Sequence, residues 1–288
     1  MKAAPFNYHD PQSLDDLIGL LGSLEDVKVL AGGQSLMPML NMRFAQPDHL
    51  IDLNGVDGLA CISANGDVTI GAMTRQAALL KSDDIATKLP VMREALGWVG
   101  HFQTRNRGTI GGSLCHLDPS AELPTTALLH DSELTVVGPN GERQVSMAQW
   151  PLAYMMPNLA EDEILKAVTI TPWDNPAGYA YEEYARRHGD FAIVGVGVLL
   201  AVDNGTITKA AVAIAGGDQV PYRLTEAETA LAGQPATEES FTAAGEVARA
   251  HEAISDAYYT SAYRQRLAAT LTKRALIKAA ARANGDTS

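Results

Sequence analysis

The spacing of apolar positions predicts a small α/β unit at the start of the chain. Behind Ser13, apolar residues recur every three or four positions as far as Leu21, which predicts an N-capped amphipathic helix. Short apolar, partly β-branched runs predict strands at residues 27–30 and 50–53, and residues 36–42 predict a helical turn interrupted by proline. These elements together predict an α/β unit over residues 1–54.

From residue 59 onward, the pattern changes to one that favours antiparallel strands. Asn65-Gly66 joins two apolar runs, and Asn140-Gly141 joins two more, which is the strongest short-range signal for a β-hairpin. The paired runs cover residues 59–63 and 68–73, then 134–137 and 143–147, followed by a single strand at 164–170 and helical spacing at 89–99 and 121–129. Residues 55–176 therefore predict an antiparallel sheet with helices.

A proline- and glycine-rich break over residues 172–178 predicts the main domain boundary. Beyond it, the pattern predicts strands at residues 179–187, 191–202 and 206–215 and helices at 224–232, 238–252 and 259–283. The predicted fold class is α+β, in which residues 177–288 form a domain with a three-stranded antiparallel sheet and a helical bundle.

The charge of the chain argues against nucleic acid as a partner. Its 288 residues include 22 Lys and Arg against 34 Asp and Glu, a net charge of −12 that repels a phosphate backbone. The amino end lacks the apolar core of a secretory signal, and no run reaches the roughly 18 apolar residues that a membrane span needs. We therefore expect a cytoplasmic protein without a membrane span.

Cysteine and histidine spacing predicts no metal site in this chain. Cys61 and Cys115 are the only cysteines, too few for the thiolates of an iron–sulfur cluster, and we expect both to be small buried residues. The seven histidines show no spacing that places two ligands on one helix face.

Two glycine-rich segments are the best candidates for ligand binding. The first is Ala31-Gly32-Gly33-Gln34-Ser35, and the second is Gly108-Thr109-Ile110-Gly111-Gly112-Ser113. Paired glycines allow a backbone to approach a ligand closely, and successive N–H groups in tight turns bind an anion such as a diphosphate without a lysine. Either segment alone is better explained as an ordinary turn, because short glycine motifs often occur without a ligand, and the two together are more informative.

Other nucleotide and hydrolase motifs are missing from the sequence. No Gly-Lys dipeptide occurs, which excludes a P-loop, and no GxGxxG motif opens a helix in a βαβ unit. Ser113, His116 and Asp118 are close in sequence, but their spacing does not indicate a catalytic triad, and no GxSxG motif is present.

Four motifs, in order and covering the whole chain, resemble one protein family. They are Phe6-Asn7-Tyr8 with the first glycine segment, Arg107 with the second, Arg187-His188-Gly189-Asp190-Phe191-Ala192, and Ala262-Tyr263-Arg264. The chain is similar to the medium, FAD-binding subunit of the molybdenum hydroxylases, which include CO dehydrogenase, xanthine dehydrogenase and bacterial N-heterocycle dehydrogenases.

This resemblance implies an FAD-binding fold of the vanillyl-alcohol-oxidase type, made of two N-terminal subdomains (1–54 and 55–176) with a C-terminal domain closing over the cofactor. It assigns the diphosphate to Ala31, Gly32, Gly33, Gln34, Ser35 and Leu36 and to Thr109, Ile110, Gly111, Gly112 and Ser113. It places Asp118 at the ribityl or flavin region, Leu165 (or Ile164) at the adenine, and Asp190 and Phe191 near the isoalloxazine. For Asp118, a turn cap before Pro119 is the alternative.

The chain departs from the family pattern at three places. Relatives of the CO dehydrogenase type tend to carry His at the position of Gln34 and Tyr at the position of Phe191, so a phenolic hydrogen bond near the flavin is missing here. Relatives often have a lysine where this chain has Glu182-Glu183, so we do not expect a cationic contact from this strand to the flavin or the diphosphate.

The function implied by the resemblance is electron transfer within a heterotrimer. A large subunit would hold the molybdopterin cofactor, a small subunit two [2Fe-2S] clusters, and this chain FAD, in a dimer of heterotrimers. The amino-acid sequence at residues 105–107 and 188–191 resembles the N-heteroaromatic or alkaloid branch of the family more than the CO branch. The alternatives are a stand-alone FAD-dependent oxidoreductase of the same fold and a scaffold protein that has lost its flavin.

The most specific geometric expectation concerns Gly111. We expect it at positive φ, where the backbone passes closest to the diphosphate and a side chain would occupy the space of the ligand. Gly111→Val would then abolish FAD binding while the fold of the apoprotein suffers less.

Overall fold

A computed structural model describes residues 2–173 and 177–285. The first unit contains β1 (Asn7–His9), α1 (Leu14–Ser23), β2 (Val27–Leu30), α2 (Leu36–Asn41) and β3 (His49–Asp52). The strands form a parallel sheet in the order β1-β3-β2, with Asn7 and Val27 both opposite His49. As predicted, the Ser13 side chain caps α1 by accepting a hydrogen bond from the Asp16 N–H. Strand β1 is not predicted by the sequence pattern because it spans only three residues.

The second unit is built on an antiparallel sheet with helices packed around it. Its elements are β4 (Ile62–Ser63), β5 (Val68–Gly71), α3 (Gln76–Lys81), α4 (Asp83–Lys88), α5 (Pro90–Leu96), α6 (Phe102–Arg107), α7 (Ile110–His116), α8 (Glu122–Leu129), β6 (Glu133–Gly138), β7 (Gly141–Ser146), β8 (Pro151–Ala153), β9 (Met156–Pro157) and β10 (Ile164–Ile170). The main sheet has the order β4-β5-β10-β6-β7. Both predicted hairpins are present, whereas α3, α4, α6 and α7 have six or seven residues each and are too short to show a helical period.

The third unit has one sheet, two helices that pack on its strands, and a third helix that packs on those two. It contains β11 (Ala177–Tyr184), β12 (Val194–Asp203), β13 (Thr206–Ala215), β14 (Tyr222–Arg223), α9 (Thr225–Leu231), α10 (Glu238–Ala250) and α11 (Ser261–Ala283). The predicted three-stranded sheet is wrong: the structure has four antiparallel strands, and β14 escapes prediction because it is two residues long. Strand β12 starts at Val194, so Phe191 lies in the preceding loop instead of in a strand. Part of the predicted boundary over residues 172–178 lies outside the described residues.

The second and third units contact each other closely. Gly197 of β12 lies under Leu129 of α8, where a Cβ atom would come within 3.2 Å of the leucine Cδ2. Glu94 of α5 forms ion pairs with Lys278 and Arg282 of α11, at 2.5 and 2.8 Å. Burial opposes the charge of Glu94, but the hydrogen bonds from both cations hold its pKa below the ordinary value. The two units therefore share one interface that is both apolar and ionic.

Within the described ranges, no helix combines the length and the apolar character that crossing a membrane requires.

Candidate cofactor site

The two glycine segments come together where the first unit meets the second. Gly32 packs so tightly on the second segment that a Cβ atom there would overlap the Arg107 carbonyl and lie 2.8 Å from the Gly108 Cα. Glycine at position 32 is therefore required by a close approach of two backbones. The structure thus joins the two segments that the sequence singles out.

The first segment presents unpaired backbone donors. None of the N–H groups of residues 32–36 bonds to an acceptor in the part of the chain that the structure describes. Gly33 has φ +73°, a left-handed conformation that suits glycine, and the Gln34 side chain folds back and donates to the Gly32 carbonyl at 3.3 Å. Successive free N–H groups in such a turn are the donors that an anionic diphosphate needs. This segment fits an FAD diphosphate.

The second segment uses its own donors inside the protein. The N–H groups of Ile110 and Gly111 donate to the carbonyls of Thr74 and Ala72, at 3.1 and 2.8 Å. The Gly112 N–H donates to the Thr109 hydroxyl at 3.0 Å, which caps α7. Five of the six amides of this segment therefore bond within the protein, and only the Thr109 N–H has no acceptor among the described residues. The contribution of the segment to the site is mainly the wall on which Gly32 rests.

The expectation for Gly111 is wrong. The residue lies in α7 without a positive φ, and a Cβ atom there would meet the Cβ and Cα of Ala72 at 2.5 and 2.9 Å. The missing side chain thus faces the protein core and not a ligand. Gly111→Val would consequently disturb the packing of α7 on the sheet in the apoprotein as well.

A cleft of about 570 Å³ opens beside the first segment, lined by Leu30, Gly32, Gly33, Gln34, Met37, Pro38, Asn41 and Arg107. Pockets of roughly 300–1,000 Å³ hold small ligands in proteins. The cleft combines apolar side chains with the free N–H groups and one arginine, which is a suitable lining for part of a dinucleotide.

Asp118 lies just beyond the other end of α7. Leu117 ends that helix in a left-handed turn, with φ 51°, and one carboxylate oxygen of Asp118 then accepts a hydrogen bond from the Ser120 N–H at 2.8 Å. Burial raises the pKa of Asp118. Its second oxygen has no bonding partner among the described residues, so the carboxylate caps a turn and can still accept a hydrogen bond from a ligand.

Leu165 is 3% exposed, and its side chain packs in the core of the second unit. The neighbouring Ile164 points to the other side of β10, into the core of the first unit. A contact of Leu165 with an adenine ring stays a prediction.

The loop that carries Asp190 and Phe191 lies on the second unit. Its turn is closed by the Asp190 N–H, which donates to the Arg187 carbonyl, and Gly189 at φ +87° rests against the ring of His101. The Phe191 side chain is 59% exposed. An exposed aromatic ring at an interface between units is able to pack on a flavin.

Phe191→Tyr is expected to change the flavin potential or the rate of flavin reoxidation while leaving the FAD content near normal. The substitution adds one hydroxyl to a ring of nearly the same shape, so it alters hydrogen bonding more than packing. Dye-coupled redox titration and the absorbance of the purified variant measure the two effects. Complete loss of flavin from a folded variant would contradict the assignment of Phe191.

Sequence reasoning missed two groups of polar residues. Arg75 and Asn54 connect the two glycine segments through side-chain hydrogen bonds. Glu122 of the second unit and Glu183 of the third are buried, 5% and 8% exposed, and burial and then the charge of Glu122 raise the pKa of Glu183. Neither group has a motif of its own, because its members are far apart in the sequence. The other glutamate of the strand, Glu182, pairs with Lys278 at 3.0 Å.

The cysteines are only partly as expected. Cys61, the residue before the short strand β4, is exposed, so the expectation of burial is wrong there. Cys115 packs against the core of the second unit, and burial raises the pKa of its thiol to about 12. In residues 2–173 and 177–285, no group of three or more His, Cys, Asp or Glu side chains has an arrangement that holds a metal ion.

The arrangement defines an FAD-binding fold: a turn with unpaired N–H groups, a cleft that suits part of a dinucleotide, and a third unit whose loop rests on the second. Comparisons with known proteins agree. A family model described as the FAD binding domain in molybdopterin dehydrogenase matches residues 4–173, and one described as the CO dehydrogenase flavoprotein C-terminal domain matches residues 179–279. The chain belongs to the family of FAD-binding medium subunits of the molybdenum hydroxylases.

Individual relatives cover the chain from end to end. The nicotine 6-hydroxylase medium subunit of Paenarthrobacter nicotinovorans is 37% identical over 98% of this chain and 100% of that protein. The carbon monoxide dehydrogenase medium chain of Hydrogenophaga pseudoflava is 35% identical over 96% and 98%. Among solved structures, carbon monoxide dehydrogenase from the latter organism superposes with a TM-score of 0.95 at 36% identity (98% and 99% covered). Quinoline 2-oxidoreductase from Pseudomonas putida 86 gives 0.94 at 31% (100% of both chains).

Proposed function

We propose that this chain is the FAD-binding electron-transfer subunit of a heterotrimeric molybdenum hydroxylase, passing electrons from the [2Fe-2S] clusters of a partner chain to an external acceptor. FAD, when bound, supplies the redox chemistry of that transfer. The observation that carries the proposal is the row of unpaired N–H groups in residues 32–36, which fits an anionic diphosphate.

The residues of this chain would bind and orient the cofactor. The free N–H groups of residues 32–36 would donate to the diphosphate, and Thr109 and Ser113 would border it from the second segment. The free oxygen of Asp118 would accept a hydrogen bond from a ribityl hydroxyl group. Phe191, with Asp190 beside it, would cover the isoalloxazine and limit access of water. Leu165 would support the adenine side.

In this proposal the fold is of the vanillyl-alcohol-oxidase type. Residues 1–54 and 55–176 are the two FAD-binding subdomains, and residues 177–288 form the domain that closes over the cofactor. The close packing of Gly32 on Gly108 supports a cofactor site between the first two subdomains.

The partners would be a large subunit with the molybdopterin cofactor and a small subunit with two [2Fe-2S] clusters, assembled as a dimer of heterotrimers in the cytoplasm. The two cysteines of this chain support the location of the clusters in another chain. We place the substrate among N-heteroaromatic compounds or alkaloids, which the similarity to the nicotine 6-hydroxylase medium subunit supports.

Purification of the complex from its own cells through a tag on this chain tests the proposal. We expect two further chains to copurify, and nicotine or quinoline to bleach the flavin absorbance under anaerobic conditions. Reduction by carbon monoxide instead would overturn the substrate assignment. Reduction of the isolated chain by nicotine or quinoline would overturn the electron-transfer role in favour of a stand-alone oxidoreductase.

A further inference from the structure

The Arg75 side chain forms hydrogen bonds with two other segments of the chain, one just before Gly108 and one just after β3. The residue stands between β5 and α3, and its backbone pairs with that of Thr109 in the second glycine segment. Its guanidinium donates through Nη1 to the Arg107 carbonyl and through Nη2 to Oδ1 of Asn54. One planar side chain therefore connects the second glycine segment to the end of the first sheet.

Asn54 extends this connection to the first glycine segment. Its Nδ2 donates to the Ala31 carbonyl at 3.1 Å, while its own backbone N–H donates to Oδ1 of Asp52 at 2.8 Å. The other oxygen of Asp52 accepts a hydrogen bond from the Tyr8 hydroxyl at 2.7 Å, and this bond raises the pKa of Tyr8 to about 12. Asn54 is thus held in place by hydrogen bonds to Asp52 of β3 and to Ala31, the residue after β2. We call the hydrogen-bonded pair the Arg75–Asn54 bridge.

The bridge joins carbonyl groups that lie directly beside the diphosphate donors. The Ala31 carbonyl precedes the free N–H groups of residues 32–36, and the Arg107 carbonyl is the group that a Cβ atom on Gly32 would overlap. Both ends of the contact between the glycine segments are therefore tied to the same two side chains. In the described part of the chain, neither Arg75 nor Arg107 forms an ion pair.

We propose that Arg75 and Asn54 are positioning residues that fix the separation of the two glycine segments and so preorganise residues 32–36 for a diphosphate. The inference rests on the proposed binding of FAD and deepens it. The planar shape of the Arg75 guanidinium group is essential for this role, because its N–H groups donate to two neutral acceptors in different segments. A lysine keeps the charge but presents a single ammonium group, which does not reproduce the planar fork.

Titration of the full-length apoprotein with FAD, followed by flavin fluorescence, tests the bridge. We expect Arg75→Lys, Arg75→Ala and Asn54→Ala each to weaken FAD binding about 10-fold or more, since each loses a hydrogen bond that involves a charged group. The double variant Arg75→Ala with Asn54→Ala should lose little more than either single variant, because one bridge is removed in each case.

The control is Arg143→Ala, which removes a paired arginine from the second unit far from the glycine segments in sequence. Arg143 forms a two-pronged hydrogen bond with Glu163 at 2.6 and 2.7 Å. Urea unfolding of each apoprotein separates a structural loss from a positioning loss: the control should lower stability without changing FAD affinity.

Three results would each overturn this proposal. The first is wild-type FAD affinity in Arg75→Lys, because charge alone would then be sufficient. The second is fully additive losses of FAD affinity in the double variant, and the third is losses of affinity that only follow losses of apoprotein stability. The proposed function fails separately, through a wild-type chain that does not bind FAD.

Discussion

Replacing Gly32 by alanine is expected to weaken FAD binding strongly. The added Cβ atom would overlap the Arg107 carbonyl and lie 2.8 Å from the Gly108 Cα, so the two glycine segments would have to move apart. Hydrogen bonds to a charged group contribute about 1.5–3 kcal/mol each, so losing one or two of those to the diphosphate lowers the affinity about 100-fold. We expect the affinity of the apoprotein for FAD to fall by about 100-fold or more, measured by flavin fluorescence titration.

Gly19→Ala is the matched control. Gly19 lies in α1, and a Cβ atom there would meet no side chain or neighbouring element within 4 Å. Alanine in a helix interior is favoured over glycine by about 0.5–1 kcal/mol, so this variant should keep full FAD affinity and gain some stability. Circular dichroism checks that Gly32→Ala folds. A folded Gly32→Ala protein with wild-type affinity for FAD would show that both segments are ordinary turns.

Glu183→Gln is expected to stabilise the protein at alkaline pH. Glu183 of β11 is 8% exposed, and one of its carboxylate oxygens has no hydrogen-bond partner. Burial, and then the neighbouring Glu122 of α8, raise the pKa of Glu183 to about 9, and burial raises the pKa of Glu122 to about 7. Both carboxyl groups are thus most easily accommodated in the folded chain when they are protonated.

The sign of the effect follows from proton binding. Above the ordinary pKa of 4.5 the unfolded chain releases the Glu183 proton, whereas the folded chain keeps it up to about pH 9. Stability therefore falls as pH rises through this window, by up to about 1.4 kcal/mol per pH unit for one group. Glutamine carries no titrating proton, so the variant should lose this part of the slope.

Urea unfolding at a series of pH values measures the difference. The free energy of unfolding of Glu183→Gln should exceed that of the wild type by a margin that grows from about pH 5 to about pH 8. Glu182→Gln is the control, because Glu182 lies on the same strand but pairs with Lys278. Parallel pH profiles of Glu183→Gln and the wild type would refute the raised pKa.

Local patterns predicted most of the regular elements. The two Asn-Gly turns and the capped helix α1 are encoded within a few neighbouring residues, and the structure has them where the sequence places them. The short helices α3, α4, α6 and α7 are not visible in the sequence because one or two turns do not establish a period.

The site was predictable only in outline. Both glycine segments can be found by sequence, but the direction of each missing side chain depends on tertiary packing. Gly32 faces the other segment, while Gly111 faces Ala72 in the core. The Arg75–Asn54 bridge joins residues 21 positions apart, and no local pattern indicates that their side chains meet.

We infer that this chain holds FAD and that molybdenum and iron–sulfur chemistry belongs to its partners. The visible spectrum and the metal content of the chain, expressed alone and incubated with FAD, test this inference. We expect a yellow protein with one FAD per chain, no stoichiometric molybdenum or iron, and no hydroxylase activity. A protein that stays colourless, or one that carries molybdenum or iron in stoichiometric amount, would contradict it.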